Sequence, residues 1–465
     1  MVETVRQSLR HSKTARWSAL FIVSFTMLTG YYVADVASPL KPLMEQQLRW
    51  DSEQYGFFTS SYGWFNVFLG MLVVGGIILD RWGARFAGIL AAVAMLAGTT
   101  LKWWAFNTHA LDGLELLGKN AQVLTASVGY ATFGMGLELC GITASKIIVR
   151  WFRGYELALA MGLQVAVARV GTGLALGGAA PIASAFRVST PVLVGALALA
   201  LGLVAFLVYC AMDRRLDASE PPEERTGEAA FRLSDIGAIL SSRGFWYIAV
   251  LCALFYSAVF PFLKYAPDLM VQKFGVSENL SGLVPSMLPF GTILLTPLFG
   301  RLYDERGRGA TLMILGAGLI LAVHLVFTLP FLTHWLVAIA AMLVLGIGFS
   351  LVPSAMWPSV PRLVPERQLG TAYALIFFLQ NLVALMGAPY LIGWVLDTWC
   401  IKGQEFQHRV VDGVATDVTV VHYDYTGPMA IFAGFGLLAL LFAWLLRRED
   451  RRKGYGLEAP CRGGS

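Results

Sequence analysis

Two ionisable side chains stand in the middle of long apolar stretches of this sequence. Glu138 lies in GMGLELCG, and Arg169 lies in LQVAVARVG. A charge at the centre of a membrane-spanning helix costs about 2.5–3.5 kcal/mol, so such residues face protein or water and mark functional sites. A carboxylate attracts an ammonium group, and a guanidinium binds a carboxylate through two parallel hydrogen bonds. The two residues therefore predict a site for a small zwitterion.

Three hypotheses account for this pair. At a rise of ~1.5 Å per residue, Glu138 and Arg169 lie at helix depths that differ by about 6 Å, within reach of two long side chains. They could form a buried ion pair that only joins two helices. They could stay apart and clamp a zwitterion, with Glu138 on the ammonium and Arg169 on the carboxylate. Glu138 could also carry a proton, which is compatible with the clamp.

The elements that position these residues are predicted to be membrane-spanning helices. Of the 465 residues, 57% are hydrophobic and only 14% are charged, whereas soluble proteins carry roughly 25% charged residues. The apolar residues form twelve blocks of about 20 residues, the length that crosses a bilayer. A polar segment separates two sets of six. We therefore expect an N-terminal lobe over 1–212, a cytoplasmic linker with a short surface helix over 213–243, and a C-terminal lobe with a cytoplasmic tail over 244–465.

The charges of the loops predict the orientation. With twelve spans both termini lie on one side, and that side receives most of the 35 Lys and Arg residues. The positive-inside rule then places both termini in the cytoplasm.

The two halves of the sequence repeat one another. GIILDRWGAR, with Asp80, Arg81 and Arg85, corresponds to GRLYDERGR, with Asp304, Arg306 and Arg308. We predict that these six residues form gates on the cytoplasmic face, where Asp80 caps a neighbouring helix and Arg81 and Arg85 bind carboxylates and carbonyls. The alternative is that Arg81 and Arg85 only mark the cytoplasmic side. FGMGLEL likewise corresponds to LGIGFSL, so that Ser350 occupies the position of Glu138, and Leu385 that of Arg169. Parallel repeats of this kind are typical of two-lobed transporters with a site between the lobes.

The motif G-x-x-x-D-R-x-G-x-R resembles motif A of the major facilitator superfamily. Within it, the segments around Glu138 and Arg169, together with YGWFNV, FYSAVFPFLKY and MWPSVPRLVPERQLGTAYALIFFLQNL, resemble the domain-containing protein 1 branch, which is typified by a lysosomal dipeptide uniporter. The resemblance implies the major facilitator fold, an all-α membrane protein with 12 transmembrane helices in two six-helix lobes around a central cavity. It also implies that Glu138 and Arg169 hold the amino and carboxyl ends of a dipeptide.

Further polar and aromatic residues are candidates for the site and its gates. For Asp35 and Lys264, near the outer ends of the first and seventh helices, two interpretations stay open: they pair as a gate when the outside closes, or they only have ordinary interfacial positions. Lys102 is predicted to be an interfacial anchor that snorkels towards water. The outer loop 398–428 is predicted to form a hairpin with its turn at Asp412-Gly413. The remaining candidate substrate-binding residues are Gln164, Tyr62, Trp64, Asn66, Tyr256, Trp357, Gln380 and Asn381.

The function expected is alternating-access transport of small zwitterions, above all dipeptides, by facilitated diffusion or proton coupling. The alternative is a proton-coupled carrier of organic anions or of an oxyanion such as nitrate, with Arg169 as the anion site and Glu138 as the proton site. No catalytic set, metal site or nucleotide loop is found, so we expect no enzyme, metal, cofactor or nucleic acid. We expect a monomer in membrane lipid, and the sequence does not indicate whether it has an accessory subunit. We expect a bacterial inner membrane, because no lysosomal sorting signal is visible.

Overall fold

Long apolar helices make up most of the structure, a computed structural model of the protein. It describes residues 12–152, 155–219, 237, 239–365, 368–411 and 414–460. Within these ranges, eleven helices are long and apolar enough to cross a membrane. The protein is therefore a multi-pass membrane protein.

The first lobe contains six crossings. Its second crossing is assembled from short helices and the start of a long one, because Gly70 and Gly83 adopt left-handed backbone angles, with φ of 59° and 78°. Gly83 thereby separates the second crossing from the third within α5. The helices are α1 Lys13–Asp35, α2 Lys41–Gln47, α3 Ser52–Ser60, α4 Trp64–Phe68, α5 Met71–Asn107, α6 Ala121–Phe152, α7 Leu157–Ala185 and α8 Thr190–Ser219.

The second lobe contains the remaining six crossings. Its fifth crossing includes a wider π-helical turn over Asn381–Gly387. This turn precedes Pro389, whose missing N–H leaves the carbonyl of Leu385 without its α-helical donor. The helices are α9 Arg243–Ser257, α10 Phe260–Phe274, α11 Leu283–Arg306, α12 Gly309–Thr328, α13 Trp335–Leu363, α14 Leu369–Gln380, α15 Ala388–Trp399 and α16 Thr426–Lys453.

Two antiparallel hairpins lie at the same end of the bundle. The short strands β1 Glu115–Leu116 and β2 Lys119–Asn120 pair in the first lobe. The longer strands β3 Ile401–Val411 and β4 Val414–Tyr423 pair in the second lobe and confirm the predicted hairpin. Its predicted turn at 412–413 lies outside the described residues. We call this the hairpin end, and the opposite end, where Lys13 and Lys453 lie, the terminal end.

The sixth crossing continues past the predicted start of the linker. Helix α8 runs to Ser219 because Asp213 and Asp217 hold it against the first lobe through ion pairs with Arg85 and Arg150. Asp213 and Asp217, at the predicted start of the linker, thus belong to the end of a packed helix, whereas residues 220–236 lie outside the described residues. Most of the surface helix predicted near residue 240 lies outside the described residues.

Lys102 contradicts its predicted role as an interfacial anchor. Its side chain is fully buried and donates a hydrogen bond of 3.1 Å to the carbonyl of Val33. Helices α5 and α6 pack closely here, since a Cβ on Gly129 would lie 2.8 Å from the Lys102 backbone nitrogen. This close packing directs the lysine between the helices instead of towards lipid headgroups.

Candidate functional site

Glu138 projects from α6 towards the space between the lobes. Its side chain is half-buried, and the Tyr62 hydroxyl donates a hydrogen bond of 2.9 Å to its Oε1. Tyr62 reaches this position because α6 carries Gly134, where a Cβ would lie 2.4 Å from the Tyr62 carbonyl oxygen. Gly134, four residues before Glu138, thus allows the second crossing to supply Tyr62 as the partner of the carboxylate.

Arg169 projects from α7 between aromatic rings of both lobes. Its guanidinium carbon lies 5.9 Å from the ring centroid of Tyr31 and 5.3 Å from that of Phe349. Such distances are typical of cation–π interactions. Helix α1 passes close to α7 here, because a Cβ on Gly171 would lie 2.1 Å from the Leu28 carbonyl oxygen. Position 171, two residues after Arg169, therefore requires glycine, because α1 leaves no room for a side chain there.

Glu138 and Arg169 do not form an ion pair. Among the described residues, no carboxylate oxygen lies within 4.0 Å of the Arg169 guanidinium, and Tyr62 is the hydrogen-bond partner found for Glu138. Their helices α6 and α7 contact each other, and Tyr31, beside Arg169, lies on α1, which contacts both. The hypothesis that the two charges only join two helices does not describe this arrangement. Two opposite charges thus lie on adjoining helices without pairing with each other.

The second lobe contributes an aromatic wall to this space. The Trp357 Nε1 donates to the Tyr256 hydroxyl over 3.3 Å, and the Trp357 ring stacks on Phe377 with centroids 5.0 Å apart. The centroids of Tyr256 and Phe260 lie 4.8 Å apart. Both Tyr256 and Trp357 were predicted to contact substrate. The wall offers apolar and π surfaces without a formal charge.

The other predicted binding residues occupy different places. Asn66 donates to Asn381 across the lobes over 3.4 Å, so these amides join the second and eleventh crossings. Gln164 and Gln380 are buried, and Gln380 accepts a weak bond from the Cys252 thiol at 3.7 Å. Trp64 packs on Phe57 within the first lobe, with ring centroids 5.0 Å apart. Among the described residues, Trp64 makes no contact with Glu138 or Arg169.

Asp35 and Lys264 meet at the hairpin end. The Lys264 ammonium lies 2.6 Å from Asp35 Oδ1 and donates to the Ala34 carbonyl over 2.7 Å. Thr172 donates to the other oxygen of Asp35 over 2.8 Å. The predicted juxtaposition is present, and it links the first and seventh crossings of opposite lobes. Its role as a gate stays a prediction.

A second ionic contact joins the lobes and was not predicted from the sequence. Lys41 Nζ lies 2.7 Å from Asp268 Oδ2 of the second lobe and 2.6 Å from Glu45 Oε1 of its own helix, and the Tyr425 hydroxyl also donates to Asp268. All of these side chains are buried or nearly so. We call Lys41, Glu45, Asp268 and Tyr425 the hairpin-end cluster. The i,i+4 spacing of Lys41 and Glu45 was the available signal, but Asp268 lies 227 residues away.

The first set of predicted gating residues forms contacts within its own lobe. Asp80 pairs with Lys146 at 2.6 Å. Arg85 binds the carboxylate of Asp213 at 3.1 Å and also that of Asp217, as predicted for an arginine of this motif. Arg81 is exposed. In this conformation the predicted latch therefore organises the terminal end of the first lobe.

The second set lies beside the C-terminal segment. The side chains of Asp304, Arg306 and Arg308 are exposed. The backbone of Arg308 donates to the Glu458 carbonyl over 3.0 Å, and the Glu458 side chain accepts a bond of 3.0 Å from the Thr311 backbone. Glu458 thus satisfies a free N–H in the first turn of α12. The C-terminal segment, rather than the other lobe, occupies this loop.

The contacts between the lobes are concentrated towards the hairpin end. Hydrogen bonds and ion pairs between described residues join the two lobes at the hairpin end and near mid-membrane. Asn66 and Asn381 make the bond of this set that lies farthest towards the terminal end. The lobes are thus closed on one side of the site formed by Glu138 and Arg169.

No cluster suited to a metal ion occurs in the described part of the chain. Four cysteines, Cys140, Cys210, Cys252 and Cys400, are buried free thiols. The chemistry available at the site is therefore that of one carboxylate, one guanidinium, hydroxyl and amide groups, and aromatic rings.

Comparisons with known proteins agree with this architecture. Residues 20–388 match the model of the Major Facilitator Superfamily. The lysosomal dipeptide transporter MFSD1 of Bos taurus is 29% identical over 395 residues, covering 82% of this chain and 80% of the relative. The same transporter of Homo sapiens is 28% identical over 395 residues, with the same coverage.

Solved structures of transporters share the fold. The nucleoside transporter NupG superposes with a TM-score of 0.67 at 13% identity, covering 93% of this chain and 99% of that one. A mutant of the peptide transporter POT in complex with alafosfalin gives a TM-score of 0.68 at 14% identity, covering 96% of this chain and 95% of that one. At these identities the likeness concerns the fold alone.

Proposed function

The chain belongs to the major facilitator superfamily, and from this premise we propose that it transports small zwitterions, above all dipeptides, by alternating access. The observation that carries the proposal is the separation of Glu138 and Arg169. They carry opposite charges, lie on helices that contact each other and are not joined by an ion pair. In this proposal Glu138 holds the ammonium end and Arg169 the carboxylate end of the substrate.

The energetics of the membrane support a ligand between these charges. An isolated charge in a low-dielectric interior is costly unless it is paired or hydrated. A zwitterion supplies both missing partners at once, through a charge-assisted bond at each end. Two extended residues span roughly 7 Å, which suits two side chains on neighbouring helices.

The asymmetry between the lobes supports a carrier that accepts several side chains. Ser350 and Leu385 stand in the second lobe where the first lobe has Glu138 and Arg169. The aromatic wall of Tyr256 and Trp357 faces the charged lobe and offers adaptable apolar contact. The relatives at 28–29% identity are named dipeptide transporters, which favours this substrate class over single amino acids.

We propose that the terminal end faces the cytoplasm. Most Lys and Arg residues lie in loops and tails on this side, in accord with the positive-inside rule. The described conformation, joined at the hairpin end, is then the inward-facing one. We further propose a monomer in a bacterial inner membrane, although the named relatives are lysosomal.

Thermal-shift measurements on the purified protein test the substrate. Dipeptides are expected to raise the apparent melting temperature, while free amino acids, tripeptides and nitrate give smaller shifts. The measurements are made at about pH 5.5 and 7.5, where a proton-coupled site responds differently. A shift with nitrate or organic acids and none with any dipeptide would replace the proposal with the anion carrier.

Substitution of Glu138 tests the ammonium site. E138Q removes the charge at nearly constant volume, and the loss of a charged hydrogen bond of about 1.5–3 kcal/mol predicts roughly 10- to 100-fold weaker dipeptide binding. S350A, at the corresponding position of the second lobe, is the matched control and should bind as the wild type does. Undiminished dipeptide binding by E138Q would exclude the ammonium role.

A further inference from the structure

Lys102 is a buried ammonium group at the hairpin end that the proposed substrate site does not use. It donates to the Val33 carbonyl over 3.1 Å and lies 4.8 Å from the ring centroid of Tyr130. Within the described residues, no carboxylate oxygen lies within 4.0 Å of its Nζ. A buried lysine without a paired carboxylate is costly, so its position calls for a partner.

The surroundings of Lys102 converge on the end of α1. The carbonyls of Val33 and Ala34 belong to the last turn of this helix, where the helix dipole places partial negative charge. Lys102 binds the first of these carbonyls and Lys264 binds the second. Asp35 follows directly, and the Tyr130 ring beside Lys102 carries the hydroxyl that donates to the Ala34 carbonyl and accepts from Lys264 over 3.4 Å. One helix end and one carboxylate thus face two lysines, one from each lobe.

The contacts of the two lysines change differently when the lobes separate at the hairpin end. Lys264 belongs to the second lobe, so its bond of 2.6 Å to Asp35 must break when the lobes separate. Thr172 belongs to the first lobe and stays, but a hydroxyl does not neutralise a carboxylate. Lys102 also belongs to the first lobe, and its four-carbon side chain can turn towards Asp35, two residues from its present partner.

We propose that Lys102 is the resident counter-charge of Asp35, taking over its carboxylate when Lys264 withdraws. The exchange lowers the free energy of the conformation that is open at the hairpin end, because Asp35 is never left alone. Lys102 is thus a positioning residue of the transport cycle. The inference rests on the alternating-access part of the proposed function and does not depend on the substrate.

Distance measurements on the substrate-free protein separate the two proposals. Spin labels on exposed positions at the hairpin end, L117C in the first lobe and F406C in the second, report opening by double electron–electron resonance. The background carries Cys461→Ser, because the four described cysteines are buried. K102M is expected to reduce the ratio of open to closed molecules by about tenfold or more. K102R, which keeps the charge, should retain most of the open population.

The matched control is K273M. Lys273 also lies at the hairpin end and donates to the carbonyls of Phe327 and Leu329 near the end of a helix, but within one lobe. Its loss should leave the ratio unchanged. An effect of K273M equal to that of K102M would reduce Lys102 to a helix-capping role and overturn the proposal.

A double-mutant cycle tests the pairing itself. D35N removes the charge that Lys102 is proposed to receive, so K102M should change the ratio little in the D35N background. An equal effect of K102M in both backgrounds would overturn the proposal. If K102M alone does not fold, the comparison of D35N with D35N/K102M still decides the question. Failure of dipeptide binding would leave this result intact.

Discussion

Side-chain direction determines what each charged residue can do in this protein. The guanidinium of Arg169 lies 5.9 and 5.3 Å from the ring centroids of Tyr31 and Phe349, respectively. Cation–π contacts of this kind contribute about 0.5–2 kcal/mol without using any donor. The aromatic surroundings therefore stabilise the charge without using the N–H donors that a carboxylate would bind.

Substitution of Tyr62 tests the role of its hydrogen bond to the Glu138 carboxylate. Its hydroxyl donates to Glu138, and Y62F removes that bond while keeping the ring. A hydrogen bond to a charged group contributes about 1.5–3 kcal/mol, so dipeptide affinity should fall roughly tenfold or more, because the charged form of Glu138 loses a donor. Isothermal titration calorimetry measures the change. Y32F is the control, since Tyr32 donates to the Pro191 carbonyl away from the site; equal losses in both variants would contradict the prediction.

Among the elements, the short helix α2 joins the lobes through a buried ion pair. Lys41 binds Asp268 of α10, and its ammonium lies 4.5 Å from the ring centroid of Tyr423 in β4. Gln272 of α10 also bonds the strand, donating to the Val421 carbonyl over 3.1 Å. The long hairpin is thereby tied to the closed side of the molecule. The hairpin-end cluster and the hairpin should respond together when the lobes part.

Removal of Lys41 tests this coupling. K41M leaves the carboxylates of Glu45 and Asp268 buried without their shared ammonium, and breaking such a pair costs about 3–5 kcal/mol. The closed conformation is the one that bears this cost, so the molecule should open at the hairpin end. Hydrogen–deuterium exchange should become faster in α2, α10 and β4.

The control for this element is K402M. Lys402 is exposed and pairs with Asp424 at 3.5 Å within the second lobe. Its substitution removes one charge from the same face but no contact between the lobes, so exchange in α2 should stay as in the wild type. Unchanged exchange of α2 and α10 in K41M would show that the cluster does not hold the lobes together.

For the molecule as a whole, close backbone approach at the hairpin end determines how far the lobes can close. Gly56 of α3 and Gly393 of α15 meet there, and a Cβ on Gly393 would lie 2.3 Å from the Ser52 carbonyl oxygen. Backbone atoms cannot yield as a flexible side chain can. The closed conformation consequently depends on glycine at this contact between opposite lobes.

G393A should therefore hold the molecule open at the hairpin end. Transport is expected to fall at least tenfold, while substrate binding persists, because the substitution blocks closure without touching Glu138 or Arg169. Uptake into proteoliposomes and thermal shift measure the two properties separately. G178A is the control, since nothing lies within 4 Å of a Cβ at Gly178. Wild-type uptake by G393A would show that closure tolerates the added methyl group.

Several features were predicted correctly because they depend on local pattern. Apolar blocks of membrane length indicated the twelve crossings, and the alternating residues after Thr398 indicated the hairpin of β3 and β4. The two repeats and motif A indicated the superfamily, which the family match confirms. Lys102 was assigned wrongly, because its tryptophan neighbours in the sequence suggested an interface whereas the packing of α5 on α6 buries it.

The sequence alone determined the fold class, the repeat of six helices and the presence of opposite charges on two neighbouring helices. These follow from hydrophobic length and residue type, which are properties of short segments. Only the tertiary structure decided that Glu138 and Arg169 stay apart, that Lys41 meets Asp268 and that Lys102 turns inward. These depend on helix rotation and on contacts between residues up to 227 positions apart, which a local pattern does not specify.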